Sequence, residues 1–124
     1  IYRDSHGVAH IDAKDVVGVA FGEAYAQCED YFWQVEDSLV WSIGRYAEMN
    51  GKKSIDNDII THAFEIPSRS RDDFDKAALS SRKLAHAYAA GYNWFLAKHP
   101  EVKPRLLTHA DPWHLLAFSR RAWL

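Results

Sequence analysis

Between Phe21 and Tyr46 the large apolar residues keep one beat. Phe21, Tyr25, Cys28, Phe32, Val35, Leu39, Ile43 and Tyr46 follow at steps of 4, 3, 4, 3, 4, 4 and 3. The mean step is about 3.6 residues, the period of an α-helix with one apolar face. The spacing therefore predicts a helix over Val16 to Met49, and the rest of the chain must supply a surface to bury its stripe. Asp12 or Asp15 can cap its start, since a carboxylate satisfies free amides there. Asn50-Gly51 supplies a stop. A run this long accommodates a bend or break. Gly18 and Gly22 leave room for another backbone to approach, each at a helical cost of up to ~1 kcal/mol against Ala. On the opposite side Asp30, Trp33, Asp37, Trp41, Arg45 and Glu48 mix Trp with charge at helical spacing, which predicts contact on both sides of the helix.

The remaining elements follow from shorter signals. Ile1, Arg3, Val8 and His10 alternate around Ser5-His6-Gly7, the pattern of a hairpin or bent strand. Ser54, Asp56 and Asp58 open a short helix that ends before Pro67. A further helix is expected to open near Ser70, with Arg71, Asp72, Asp73 and Asp75 as its charged face. Arg82 to Lys98 is apolar on most sides (Leu84, Tyr88, Tyr92, Trp94, Phe95, Leu96), which predicts deep burial, and Pro100 ends it. A loop with Pro104 follows, and Asp111-Pro112 reads as an N-cap and first-turn pair. There is no internal repeat and no low-complexity segment. The expected fold is mostly α with one N-terminal extended strand.

Composition narrows the function classes. The 124 residues make one domain or a piece of a larger one. Fifteen Lys+Arg against 17 Asp+Glu give a net charge of −2, without the clustered positive charge that a nucleic-acid or polybasic membrane surface needs. No apolar run approaches the roughly 20 residues of a membrane span. The single Cys28 excludes an internal disulfide and a Cys-rich zinc site. Five Trp form a large apolar payload for so short a chain. The sequence opens at Ile1 without Met and closes on Arg-Arg-Ala-Trp-Leu inside a helical pattern, so it reads as a fragment or processed subunit.

Candidate chemistry is sparse. His6 and His10 stand four apart, the spacing of a helical metal pair, but Gly7 and the extended pattern between them favour ordinary turn residues. Glu29, Asp30, Glu36 and Asp37 form two acidic pairs seven apart. No Ca²⁺-loop pattern accompanies them, so ion pairing to Arg3, Arg45 or another chain is expected. Cys28 lies on the apolar stripe, where a thiol is usually packing. No catalytic-triad spacing, phosphate loop or paired-Cys motif is present. The chain carries no self-contained active site.

Several segments in order nevertheless resemble one family. Ile1 to Ile11, reading Ile-Tyr-Arg-Asp-Ser-His-Gly-Val-Ala-His-Ile, resembles the Arg-Asp-x-x-Gly-Val-Pro-His-Ile opening of the penicillin acylase family. Asp30-Tyr31-Phe32-Trp33-Gln34-Val35-Glu36 is similar to its Asp-Arg-Leu-x-Gln-Met-Glu run. Gly44-Arg45-Tyr46-Ala47-Glu48 with Gly51, Tyr88-Ala89-Ala90-Gly91-Tyr92-Asn93 and Asp111-Pro112-Trp113 resemble three further family steps. Two departures stand out. Ala9 replaces the usual Pro, which loosens a turn, and Tyr31 replaces the usual Arg, which changes the ion pairing around the acids.

The resemblance implies a segment, residues 1–124, from the N-terminal portion of the α chain of an N-terminal-nucleophile hydrolase with a four-layer αββα core. Such enzymes cut themselves from a precursor, and the nucleophile is the Ser that begins the β chain. The implied reaction releases acyl groups from linear amides such as β-lactam side chains or N-acyl-homoserine lactones. The implied partners are the β chain and a small acylated amide, with no nucleic acid and no membrane span. No catalytic residue and no metal ligand is expected in these 124 residues, and no cofactor. The family allows Ca²⁺ in the complete enzyme, on residues beyond Leu124, and implies a periplasmic or secreted location. Laying Asp111-Pro112-Trp113 on the family pattern puts Trp123 at a substrate-pocket position, with core packing of the last helix as the alternative. A freestanding helical interaction module, or a family member that has lost catalysis, are the competing readings.

Overall fold

A computed structural model describes residues 1–124. Two short strands, β1 (Tyr2–Arg3) and β2 (Ala9–His10), pair antiparallel with Tyr2 opposite His10 and Arg3 opposite Ala9. The expected hairpin is present. Gly7 supplies the positive φ of its turn, and Asp4 Oδ1 accepts from the amides of His6 and Val8. Six helices follow: α1 (Val16–Ser42), α2 (Tyr46–Asn50), α3 (Ile55–Ala63), α4 (Ile66–Lys76), α5 (Leu79–Lys98) and α6 (Trp113–Ala122). A 3-10 turn, Gly51–Ser54, joins α2 to α3.

The predicted long helix is real but divided. Asp15 caps it, accepting from the Gly18 amide at 2.8 Å. Its ladder breaks at Tyr31, whose φ of −156° and ψ of 57° kink the element. It then ends at Ser42 rather than continuing to Met49. Gly44 has φ +73°, and a β-carbon there would lie 2.7 Å from His62 Nε2, so a side chain has neither the backbone nor the space. Gly51, also at positive φ, ends α2 as expected.

The apolar stripe is the core. Cys28, Phe32, Val35 and Leu39 of α1, with Ile43 at its C-cap, meet Ala89, Tyr92 and Phe95 of α5, and Ile66, Leu107, Ala110 and Ala117 close the cluster. Helices α1 and α5 form the main packing pair. Their approach rests on Gly91, where a β-carbon would sit 2.4 Å from the Phe21 carbonyl oxygen. Small residues decide the burial of α5. Ala85, Ala87, Ala89 and Gly91 face inward beside Tyr92 and Phe95, while Trp94 is 49% exposed. Spaced two apart, these small residues bury opposite sides of the helix, so the expectation of burial on most sides holds, with Trp94 on the strip left open.

Three other expectations change. Helix α4 begins at Ile66 with Pro67 in its first turn, and Ser70 lies buried inside it. Proline suits that first turn because the free amide it lacks would have no helical partner. Helix α6 begins with Pro112 at its cap, and the Asp111 side chain does not cap it; the Asp111 carbonyl instead accepts from the His114 amide. The opposite side of α1 is contacted in part only. Arg121 lies 4.4 Å over the Trp41 ring, but Trp33 is exposed.

Candidate functional site

Helix α6 carries a continuous apolar surface. Leu115, Phe118, Ser119, Ala122 and Trp123 form an open shelf along its outer side. Trp123, at the helix end, is 89% exposed and packs into no core of this chain. The shelf runs by way of Leu115 and Phe118 into a groove of about 320 Å³ between α1, α5 and α6. Tyr31, Val35, Leu39 and Tyr88 line the groove, with Glu23, Gln27, Gln34 and Ser38 as its polar rim. The α1 kink falls at Tyr31, on this wall. Tyr88 donates to Gln27 Oε1 at 2.9 Å, and burial pushes its phenol up to about 12, so it stays a neutral donor.

Buried polar clamps hold the surface in place. The Glu36 carboxylate, completely buried, accepts from the amides of Arg105, Leu106 and Leu107 at 3.1, 2.9 and 2.9 Å. Asn93 bonds Ala110 in both directions, and Tyr92 donates to the Leu107 carbonyl. Together they fix the loop that delivers α6. At its far end Arg121 donates to Thr61 Oγ1 and Asn57 Oδ1 of α3. His114, buried at its near end, accepts the Asp111 amide on Nδ1 at 3.1 Å. Burial depresses its pKa to about 4, with Asp111 opposing that shift, so the ring is neutral.

The acidic pairs part company. Glu29 and Asp30 bind Arg3 as expected, but at the surface. Glu36 and Asp37 do not reach Arg45, which pairs with Glu48. Arg105 takes that place, with Nη2 2.9 Å from Asp37 Oδ1 and Nε 3.9 Å from Glu36 Oε2. Asp37 also accepts from the Tyr46 hydroxyl, which holds that phenol's pKa up. Each of the four acids is engaged by a protein donor, the two pairs do not converge, and no group of three metal-ligating side chains that could hold an ion occurs in the chain. His10 stacks on Tyr2 and meets Asp4 at 3.0 Å, while His6 points to Ser5, so the two histidines do not converge. The Cys28 thiol is buried, and desolvation pushes it up to about 12, which makes it inert packing.

The loop clamp escaped the sequence reading. Its one legible signal is Asn93, an amide inside an otherwise apolar helix whose side chain needs partners when buried. Nothing local marks Glu36 as the acceptor of amides some 70 residues away.

Comparison with known proteins gives the family. The penicillin amidase model matches residues 1–123. The chain is similar to penicillin acylase 2 proenzyme of Pseudomonas sp. (strain SE83), at 28% identity over 130 aligned positions, covering 100% of this chain and 17% of that protein, in its N-terminal region. It is also similar to aculeacin-A acylase of Actinoplanes utahensis, at 29% identity over 79% of this chain and 14% of that protein. Acyl-homoserine lactone acylase PvdQ of Pseudomonas fluorescens (strain Pf0-1) is 26% identical over 79% of this chain and 14% of its own length. Among solved structures, a thermostable penicillin G acylase from Alcaligenes faecalis shares the fold with a TM-score of 0.81 at 21% identity, over 98% of this chain and 69% of that one. The chain thus spans under a fifth of the full-length relatives, and it belongs to the penicillin amidase family.

Proposed function

We propose that residues 1–124 are the N-terminal portion of the α chain of an amidohydrolase that frees acyl groups from linear amides. One observation carries the reading: the family match runs from residue 1 to 123, yet covers only the N-terminal 17% of a relative named as a proenzyme. A precursor that divides into a small and a large chain accounts for both facts.

In this reading the catalytic groups lie on the large chain, inside a four-layer αββα core that the small chain wraps. Its first residue, a Ser, attacks the acyl carbon. Its own α-amine, with an ordinary pKa near ~8, takes the hydroxyl proton and passes it to the leaving amine. The carbonyl oxygen gathers charge in the tetrahedral state and needs fixed hydrogen-bond donors, which the large chain supplies. Water then releases the acyl group as a carboxylic acid.

The present chain contributes shape. Exposed Trp123 and the apolar shelf of α6 make a wall for an acyl tail, and the Glu36 and Asn93 clamps give that wall its position. Such a wall takes apolar acyl groups. β-Lactam side chains, N-acyl-homoserine lactones and acylated peptides all present one. Any Ca²⁺ of the complete enzyme sits on residues after Leu124, and the enzyme works in the periplasm or outside the cell.

The test is to express the full-length polypeptide and sequence the N-terminus of its larger product. A large chain beginning with Ser, with amide hydrolysis that its Ser→Ala variant abolishes, is the expected result. An uncleaved, inactive product overturns the catalytic reading and leaves the family membership in place. Trp123→Ala should change the ratio of kcat/KM between long and short acyl groups by about tenfold, the size of one well-buried apolar contact. Equal losses for both would remove Trp123 from the pocket.

A further inference from the structure

Helix α3 is built inside out. The positions that face the protein, Ser54, Asn57, Asp58 and Thr61, recur at steps of 3, 1 and 3, and all four are polar. Three of them are matched there by hydrogen bonds. Asp58 accepts the amides of Tyr46 and Ala47 at 2.9 and 2.7 Å, and Asn57 donates to the Trp41 carbonyl. Thr61 is completely buried and donates to the Asn57 carbonyl while receiving Arg121. The outer side carries the large apolar residues instead, with Asp56 and His62 beside them. Ile55, Ile59, Ile60 and Phe64 are 43, 58, 43 and 54% exposed. A helix that turns its polar groups inward and a row of Ile and Phe outward has its apolar face directed at something these residues lack.

We propose that the outer face of α3 is covered by the stretch of the full-length polypeptide that directly follows residue 124. Three observations select this occupant. The Arg121 bonds to Thr61 and Asn57 tie the last turn of α6 to α3. Leu124, 60% exposed, lines one recess with Ala63 and Phe64, so a chain leaving α6 starts at the edge of the apolar face. The chain matches the N-terminal region of a relative of which it covers 17%, so more polypeptide follows in that relative than the two or three helical turns that span Ile55 to Phe64. Lys52 and Lys53, exposed at the start of the face, favour an acidic residue at the far end of that segment. The inference rests on family membership and not on the catalytic reading, so the two fail separately.

The test uses the full-length protein. Ile59 is replaced by the photo-crosslinking residue benzoylphenylalanine, which keeps the face apolar, and the crosslinked peptides are sequenced after illumination. Crosslinks within the stretch directly after residue 124 are expected. Crosslinks to the large catalytic chain, to residues 1–124 of a second copy, or to none overturn the proposal. A second variant, Ile59→Cys, is treated with a maleimide under native conditions. Labelling should be at least tenfold slower than in the denatured protein, and equal rates overturn the proposal whether or not the crosslinking variant matures.

Discussion

Helices α1 and α3 bury opposite things. On α1 the inward stripe is apolar, and its one buried carboxylate, Glu36, is caged by three amides. On α3 the inward face is wholly polar and the apolar residues look out. The first arrangement stands alone, since apolar burial at about 25 cal/mol per Å² needs only the α5 partner that is present. The second gains little from its own chain, because exchanging water for protein hydrogen bonds yields about 1 kcal/mol each. The contrast separates a part of the molecule complete in itself from one shaped for further polypeptide.

The largest test of that difference is Glu36→Ala. It strands the amides of Arg105, Leu106 and buried Leu107 and should destabilise the chain by about 3 kcal/mol, read as a shift in the urea midpoint. A change below about 1 kcal/mol would mean that the 105–107 loop is not held by this carboxylate. Next comes pH. His114 is neutral and buried, with its pKa lowered to about 4, whereas the unfolded ring takes a proton below about 6.5. The unfolded state therefore binds more protons between those values, so stability is full above pH 6.5 and falls as the pH drops toward 4, by up to about 3 kcal/mol. Urea midpoints measured across that range should flatten in His114→Gln.

Gly91→Val probes the α1–α5 contact itself. The added carbon meets the Phe21 backbone oxygen, which cannot step aside, and the expected loss is about 3 kcal/mol in thermal or urea unfolding. The smallest effect sharpens the contrast most. Ile59→Ala should change the 124-residue chain by less than about 0.5 kcal/mol, the scale of a surface change. In the full-length protein the same substitution should cost about 2 kcal/mol, the scale of a core truncation. Equal effects in both would return α3 to an ordinary surface helix.

The parts legible in advance share a physical cause, and so do the parts that were not. The stripe from Cys28 to Ile43, the Asp15 cap, the Gly7 turn and the Gly51 stop are local, because each depends on residues within a turn or two. The start of α4 at Ile66 is ambiguous in the sequence, because Pro67 suits the first turn of a helix as well as the boundary after one. For the four acids of α1 the sequence offers Arg3, Arg45 or another chain as partners, and Arg45 turns to Glu48 instead. Arg105 takes that place because the Glu36 cage brings a distant loop to the same spot.

Sequence alone determined the helical class, the hairpin, the core stripe and the family resemblance, since periodicity, caps and ordered motifs are written along the chain. Tertiary structure decided which surfaces remain open: the exposed Trp123, the shelf of α6 and the outward Ile face of α3. An apolar residue at a helical position is the same letter whether it meets a neighbour or not. Only the packing of α6 against α4, α1 and α5, with Arg121 reaching across to α3, settles which side of each helix is left open.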